Sequence, residues 1–170
     1  LRNTRRLGMS TLRVDEIKDS TGASTGLTID DIGRVLTPAR PAFKASPTGS
    51  GNASATNDII FGDVTTATLG CHNIGSHYST TTGKFTAPVS GVYVFHFCTG
   101  QNSSNVCIIK FFLNTNSCGT ILQNTGDTSD TLEASQNLYL TAGDYVHMKV
   151  TGGSYEFGAD ASFFCGYLLG

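Results

Sequence analysis

Charge is what this sequence has least of. Asp, Glu, Lys and Arg make up only 14% of its 170 residues, and the formal net charge is −2. So small an imbalance gives no basis for nucleic acid, a membrane surface or a polyanionic partner. Helical windows are missing too. No stretch longer than a turn or two is rich in Ala, Glu, Lys, Leu and Arg at helical spacing, so the chain reads as nearly all β. No apolar run approaches the ~20 residues of a membrane span, and insertion into a membrane is not expected. The start shows no charged, apolar and small-residue order of a signal peptide, although the mature form of a secreted protein would lack one as well. Catalytic signatures are absent: there is no Gly-x-Ser-x-Gly elbow, no phosphate-cradling Gly loop and no His-Glu-x-x-His. An enzyme is not expected. The five cysteines, at 71, 98, 107, 118 and 165, are odd in number and show no C-x-x-C spacing. They read as reduced thiols rather than a disulfide framework, with one bridge between Cys107 and Cys118 left open.

What the chain does have is strands. Phe85-Thr-Ala-Pro-Val-Ser-Gly-Val-Tyr-Val-Phe-His-Phe97 places turn formers before a run of β-branched and aromatic residues. Tyr93, Phe95 and Phe97 alternate with Val92, Val94 and Cys98, so both faces are largely apolar. Val106–Leu113 is a second strong strand, with Cys107, Ile109, Phe111 and Leu113 on one face. Ser162–Leu169 is again apolar on both faces. Strands at intervals of ten or so residues from Ala42 onward indicate a sandwich or jelly roll. A two-layer sandwich covers one face of each sheet, so the second apolar face of 92–98 and 163–169 calls for another copy of the chain. Val92, Val94, His96, Phe164 and Leu168 are assigned to that self-contact, and Tyr93, Phe95, Phe97, Phe111 and Tyr167 to the core.

Six fragments stand in order: Asn73-x-Gly75 with Tyr78, Thr82-Gly83-x-Phe85-Thr-Ala-Pro88, Gly91-x-Tyr93-x-Phe95, Leu140-x-x-Gly143-Asp144-x-Val146 and Ser162-Phe-Phe-x-Gly166-Tyr-Leu-Leu169. Together they resemble the globular head of the complement C1q family, relatives of the tumour necrosis factor jelly rolls. The resemblance covers roughly residues 42–170 and implies a ten-stranded jelly-roll sandwich that forms homotrimers through its inner sheet. Upstream there is no collagen-like Gly-X-Y repeat.

Residues 1–41 form a separate arm and linker. The first eight are basic and end before Met9-Ser10, a natural start; they read as leader or vector sequence or an arm touching an acidic neighbour, with a disordered end the simplest reading. Leu12, Val14, Ile17, Leu27 and Ile29 alternate with polar residues in strands too thin to make a core. Pro38 and Pro41 close the segment as a stiff linker. The run from Met9 to Val35 is similar to the beginnings of fibre-like proteins of aquatic bacteriophages, which implies an arm attaching a trimeric head to a virion. The partners expected are therefore the chain itself, capsid or tail proteins, and a glycan or protein on the host surface. The competing reading is a secreted, extracellular ligand or pattern-binding lectin.

No cofactor is expected. Asp127, Asp130 and Glu133 could offer oxygens to calcium, as in some family members near the trimer apex, but the spacing is no calcium-loop motif and a solvated loop is the simpler reading. His72, His77, His96 and His147 could share a metal only if the fold converged them. Asn52-x-Ser54 and Asn102-x-Ser104 fit the glycosylation acceptor pattern, which matters only in a secretory pathway.

Overall fold

The computed structural model describes residues 16–18, 21–22, 25–54, 57–100, 106–123, 131–158 and 162–169. The chain divides between Ala39 and Arg40 into two units. In the first, β1 (Glu16–Lys18), β2 (Thr25–Ile29) and β3 (Val35–Leu36) form an antiparallel sheet in that order. The β2–β3 turn is held by Asp30. Its Oδ1 accepts from the backbone N–H of Ile32 at 3.1 Å and of Arg34 at 2.8 Å, and its Oδ2 accepts from the Arg34 guanidinium. Gly33 supplies the positive φ of 84° that closes the turn. These hydrogen bonds hold the Asp30 carboxyl below its usual range. None of the described residues of this unit is buried: Ile17 and Ile29 are exposed and Leu27 is half-buried. Leu12 and Val14 lie outside the described residues.

The second unit is a jelly-roll sandwich built from β4 (Ala42–Ala45), β5 (Gly51–Ser54), β6 (His72–Ile74), β7 (Tyr78–Ser79), β8 (Lys84–Thr86), β9 (Gly91–Gly100), β10 (Cys107–Leu113), β11 (Asn116–Gln123), β12 (Thr131–Leu140), β13 (Tyr145–Phe157) and β14 (Phe163–Leu168). One sheet runs β12-β9-β14-β4-β6. The other runs β11-β10-β13-β8-β7, with β5 paired to the far end of β13. All pairings are antiparallel. Residues 58–61, which the sequence pattern presents as a strand, instead form an extended segment joined to β13 by a single bridge from Asp58 to Lys149. Ile59 and Phe61 still point into the core from it.

The core lies between the sheets and is mostly aromatic. Tyr93, Phe95 and Phe97 of β9 are fully buried, as is Phe111 of β10. Phe43 stacks on Tyr78 with ring centroids 4.7 Å apart and on Phe85 at 5.0 Å, and meets Phe164 edge-on at 5.0 Å. Each such ring removed from water contributes about 1.5–3 kcal/mol.

Three assignments on β14 are corrected, those of Phe164, Tyr167 and Leu168. Phe164, expected at a self-contact surface, is 1% exposed, and Tyr167, expected in the core, is 45% exposed. The register explains all three. Phe164 sits opposite Phe97 and Leu168 opposite Tyr93, so the even positions of β14 share the core face of β9. Leu168 accordingly packs against the core, not on the outer face. Phe163, Cys165 and Tyr167 point outward instead.

Candidate functional site

The surface that stands out is the outer face of the β12-β9-β14-β4-β6 sheet. Alternation along β9 sends Val92, Val94, His96 and Cys98 outward, all half-buried. Cross-strand register then sets the rows. Asn137, Val94, Tyr167 and Ala42 align in one, Ser135, His96, Cys165 and Lys44 in the next, and Glu133, Cys98 and Phe163 in a third. Tyr139 is 67% exposed and Ile74 41% at the margins of the face. An outer sheet face with this many apolar groups is unusual for a chain that stands alone.

Two of its polar groups, His96 and Lys44, have partners within the chain. The His96 Nδ1 lies 2.9 Å from the Ser135 hydroxyl, and the His96 ring stacks on Phe163 at 5.4 Å. Lys44 donates to the Leu69 carbonyl at 2.7 Å and sits over the Phe163 ring at 4.9 Å. Burial, then the nearby Glu133 carboxylate, pushes the Cys98 thiol up, and burial pushes Cys165 up. Both therefore stay protonated at neutral pH and behave as small hydrophobes. The part of the face around His96 and Lys44 can be dried at little cost, while Glu133 and Asn137 stand exposed on the edge strand β12.

A C1q domain model matches residues 42–169. The chain belongs to the C1q domain family. In fold it is similar to the globular domain of zebrafish complement 1qA protein, at 22% identity and a TM-score of 0.57, with 76% of this chain and 98% of that one covered. It is similar as well to Eiger TNF from S. frugiperda, at 18% identity and a TM-score of 0.53, over 78% of this chain and 94% of the other. Murine APRIL matches at 9% identity and a TM-score of 0.55, over 76% and 99%.

The fragments that carried the C1q resemblance turn out to be structural joints. Asn73 clamps Tyr78 from both sides, its Nδ2 donating to the Tyr78 carbonyl at 2.8 Å and its Oδ1 accepting from the Tyr78 N–H at 3.1 Å. The buried Tyr78 hydroxyl donates to the Phe61 carbonyl at 3.1 Å, which fixes the 58–61 segment on the core. Gly83, at a φ of 68°, passes so close to Ile59 that a Cβ would lie 2.4 Å from its carbonyl oxygen. Asp144 is a turn residue: its Oδ2 accepts from the Thr141 N–H and its Oδ1 from Asn114 Nδ2, both at 2.8 Å. It thereby ties the β12–β13 turn to the β10–β11 turn.

The four histidines do not converge. His96 lies on one sheet and His147 on the other, while His72 opens β6 and His77 lies in the connection after it, and among the described residues no group of His, Cys, Asp and Glu could hold a metal. Of the calcium candidates, Glu133 is exposed on β12, and Asp127 and Asp130 lie outside the described residues. Asn102 and Ser104 lie outside them too, as does the Asn52 side chain. No disulfide joins any of the five cysteines, so Cys107 and Cys118 are not bridged.

Sequence reading missed what His147 does. It is buried on β13, where its Nε2–H donates to the Asn114 carbonyl at 3.2 Å and its Nδ1 lies 3.1 Å from Asp58 Oδ1, out of line for a hydrogen bond. Burial lowers its pKa below the usual 6.5, outweighing the Asp58 carboxylate, which acts the other way. The unfolded chain therefore binds more protons in this range, and stability is retained above about pH 6.5 and lost as pH falls below it. Thermal melts from pH 8 to pH 5 should show a decline that His147→Gln flattens. A decline of equal slope in the variant would assign the effect to other groups.

Proposed function

We propose that this protein is a non-enzymatic homotrimeric head that builds the outer surface of a bacteriophage particle and is anchored there by its N-terminal unit. The observation that carries the assembly reading is the apolar outer face of the β12-β9-β14-β4-β6 sheet, where His96 and Lys44 already have partners within the chain. Val92, Val94 and His96 form its centre, and Phe163, Cys165 and Tyr167 take the places first given to Phe164 and Leu168. The C1q family resemblance favours three copies around this sheet. Multi-angle light scattering of residues 40–170 should give three times the chain mass, and a monodisperse monomer would end this reading.

The virion setting is supported by the similarity of residues 9–35 to phage fibre beginnings. It is also supported by a first unit that has strands and exposed Ile17, Ile29, Ile32, Val35 and Leu36 but no buried residue among those described. Such a sheet gains stability by pairing its edges with neighbouring chains. Deleting residues 1–39 should leave a trimer with unchanged melting behaviour that no longer enters particles. Truncated heads at normal occupancy on particles would place the anchor on the jelly roll. The alternative setting, a secreted C1q-like ligand or lectin, fits the same head; a signal peptide ahead of this sequence in its gene would favour it.

A further inference from the structure

The outer face of the opposite sheet carries a different feature. Lys84 of β8, Phe112 of β10, Tyr145 and Lys149 of β13, and Asp58 surround an open cleft of about 240 Å³ with His147 at its floor. Phe112 lies directly across from His147, and Lys110 directly across from Lys149. Two lysines facing each other on neighbouring strands repel, an arrangement that costs stability unless an anion lies between or beside them. Among the described residues no carboxylate lies within ion-pairing reach of Lys84, Lys110 or Lys149. Asp58 is the only acid lining the cleft, and it faces the His147 ring.

The ammonium groups are ordered by rings instead. Lys84 Nζ lies 4.5 Å from the Tyr145 ring centre and Lys149 Nζ 5.8 Å from that of Phe112. An aromatic face attracts a cation without neutralising it, so each charge is positioned yet left to act on a ligand. The β10–β11 turn adds Asn114 and Thr115 at the rim. Cations, ring edges and neutral polar groups around a shallow, open cleft suit a sugar ring that carries an acidic substituent. A bare inorganic anion would use the lysines and ignore the rings. A flat polyanion would need a charged stripe, whereas this chain carries a net charge of −2.

We propose that the cleft between Lys84, Phe112, Tyr145 and Lys149 is a binding site for an acidic saccharide, one bearing sulfate or carboxylate groups. The site is built from a single chain and lies on the sheet opposite the assembly face, so it does not depend on the trimer reading.

Isothermal titration of the full-length protein with dextran sulfate oligosaccharides, neutral dextran oligosaccharides of equal length, and sodium sulfate tests this. The sulfated oligosaccharide should bind saturably, and Lys84→Gln or Lys149→Gln should each weaken it about tenfold, the worth of one charge-assisted hydrogen bond. Arg40→Gln, a charge removed outside the cleft, should change it less than twofold. Lys84→Arg and Lys149→Arg should keep most of the affinity, and no variant should melt below the parent. Equal weakening by Arg40→Gln, or none by the cleft variants, would overturn the site. Sodium sulfate binding as tightly as the oligosaccharide would overturn the saccharide and leave a simple anion. Neutral dextran binding equally well would overturn the acidic substituent.

Discussion

Phe95→Ala should lower the unfolding free energy of the head by about 3–5 kcal/mol, the range for emptying a fully buried aromatic site. Phe95 touches more of the core than any one strand supplies. Its ring meets Phe43, Phe85, Tyr93 and Phe164 at centroid distances between 5.6 and 6.5 Å. It also lies against Gly166 of β14, where an added Cβ would fall 2.5 Å from the Phe95 Cδ1 atom. The ring has no room to retreat, so Gly166→Ala should itself cost about 1–3 kcal/mol by overpacking. The two sites are coupled. In Phe95→Ala the ring atoms that would clash with the new methyl group are gone, and the cost of Gly166→Ala should shrink. Denaturant unfolding of the two single variants and the double gives the coupling directly. Strictly additive costs would mean that the strands separate to relieve the clash and that the ring is not what demands glycine.

Val94→Asp should convert the proposed trimer into monomers or aggregates, the largest effect expected from any substitution outside the core. Val94 sits in the row Asn137, Val94, Tyr167 at the middle of the proposed interface. A carboxylate placed there and brought against two further copies would be desolvated among like charges, with no cation to pair it. The nearest candidate, Lys44, is already committed to the Leu69 carbonyl and the Phe163 ring. Tyr167→Asp should act in the same direction, whereas a charge at Thr86, exposed on the opposite sheet, should not. Sedimentation velocity distinguishes these outcomes. If Val94→Asp remains a trimer with the parent's stability, the copies meet through some other surface.

These expectations also show how far the sequence could be read. The β9 strand was legible because Gly91 and the alternation from Val92 to Cys98 leave one extended arrangement for those residues. The phase of β14 was not. Phe163, Phe164, Tyr167 and Leu168 are apolar in both alternating sets, so composition could not say which set faces inward. The usable signal was Gly166. A glycine between large residues marks the side on which something bulky approaches, and here that is the Phe95 ring. The cleft was invisible for another reason. Asp58, Lys84, Phe112 and Lys149 come from four separated segments, and a net charge of −2 reports a total but not a placement. His147 likewise looked like an ordinary strand histidine until the Asn114 carbonyl and Asp58 were brought to its two nitrogens.

The position of β14 sets the order in which the head can be made. The last strand of the chain lies between β9 and β4, in the middle of its sheet. Until the ribosome has released residues 163–168, that sheet exists as two halves with a missing centre, and both inner edges offer unpaired backbone groups. Closure of this sheet must therefore wait for residues 163–168, and it joins residues far apart in sequence, which makes it slow. A nascent chain stalled a few residues short would expose the Phe95 and Phe97 side of β9 to its neighbours on the polysome. A chain cut short before residue 163 should thus yield aggregates, not a slightly shortened head.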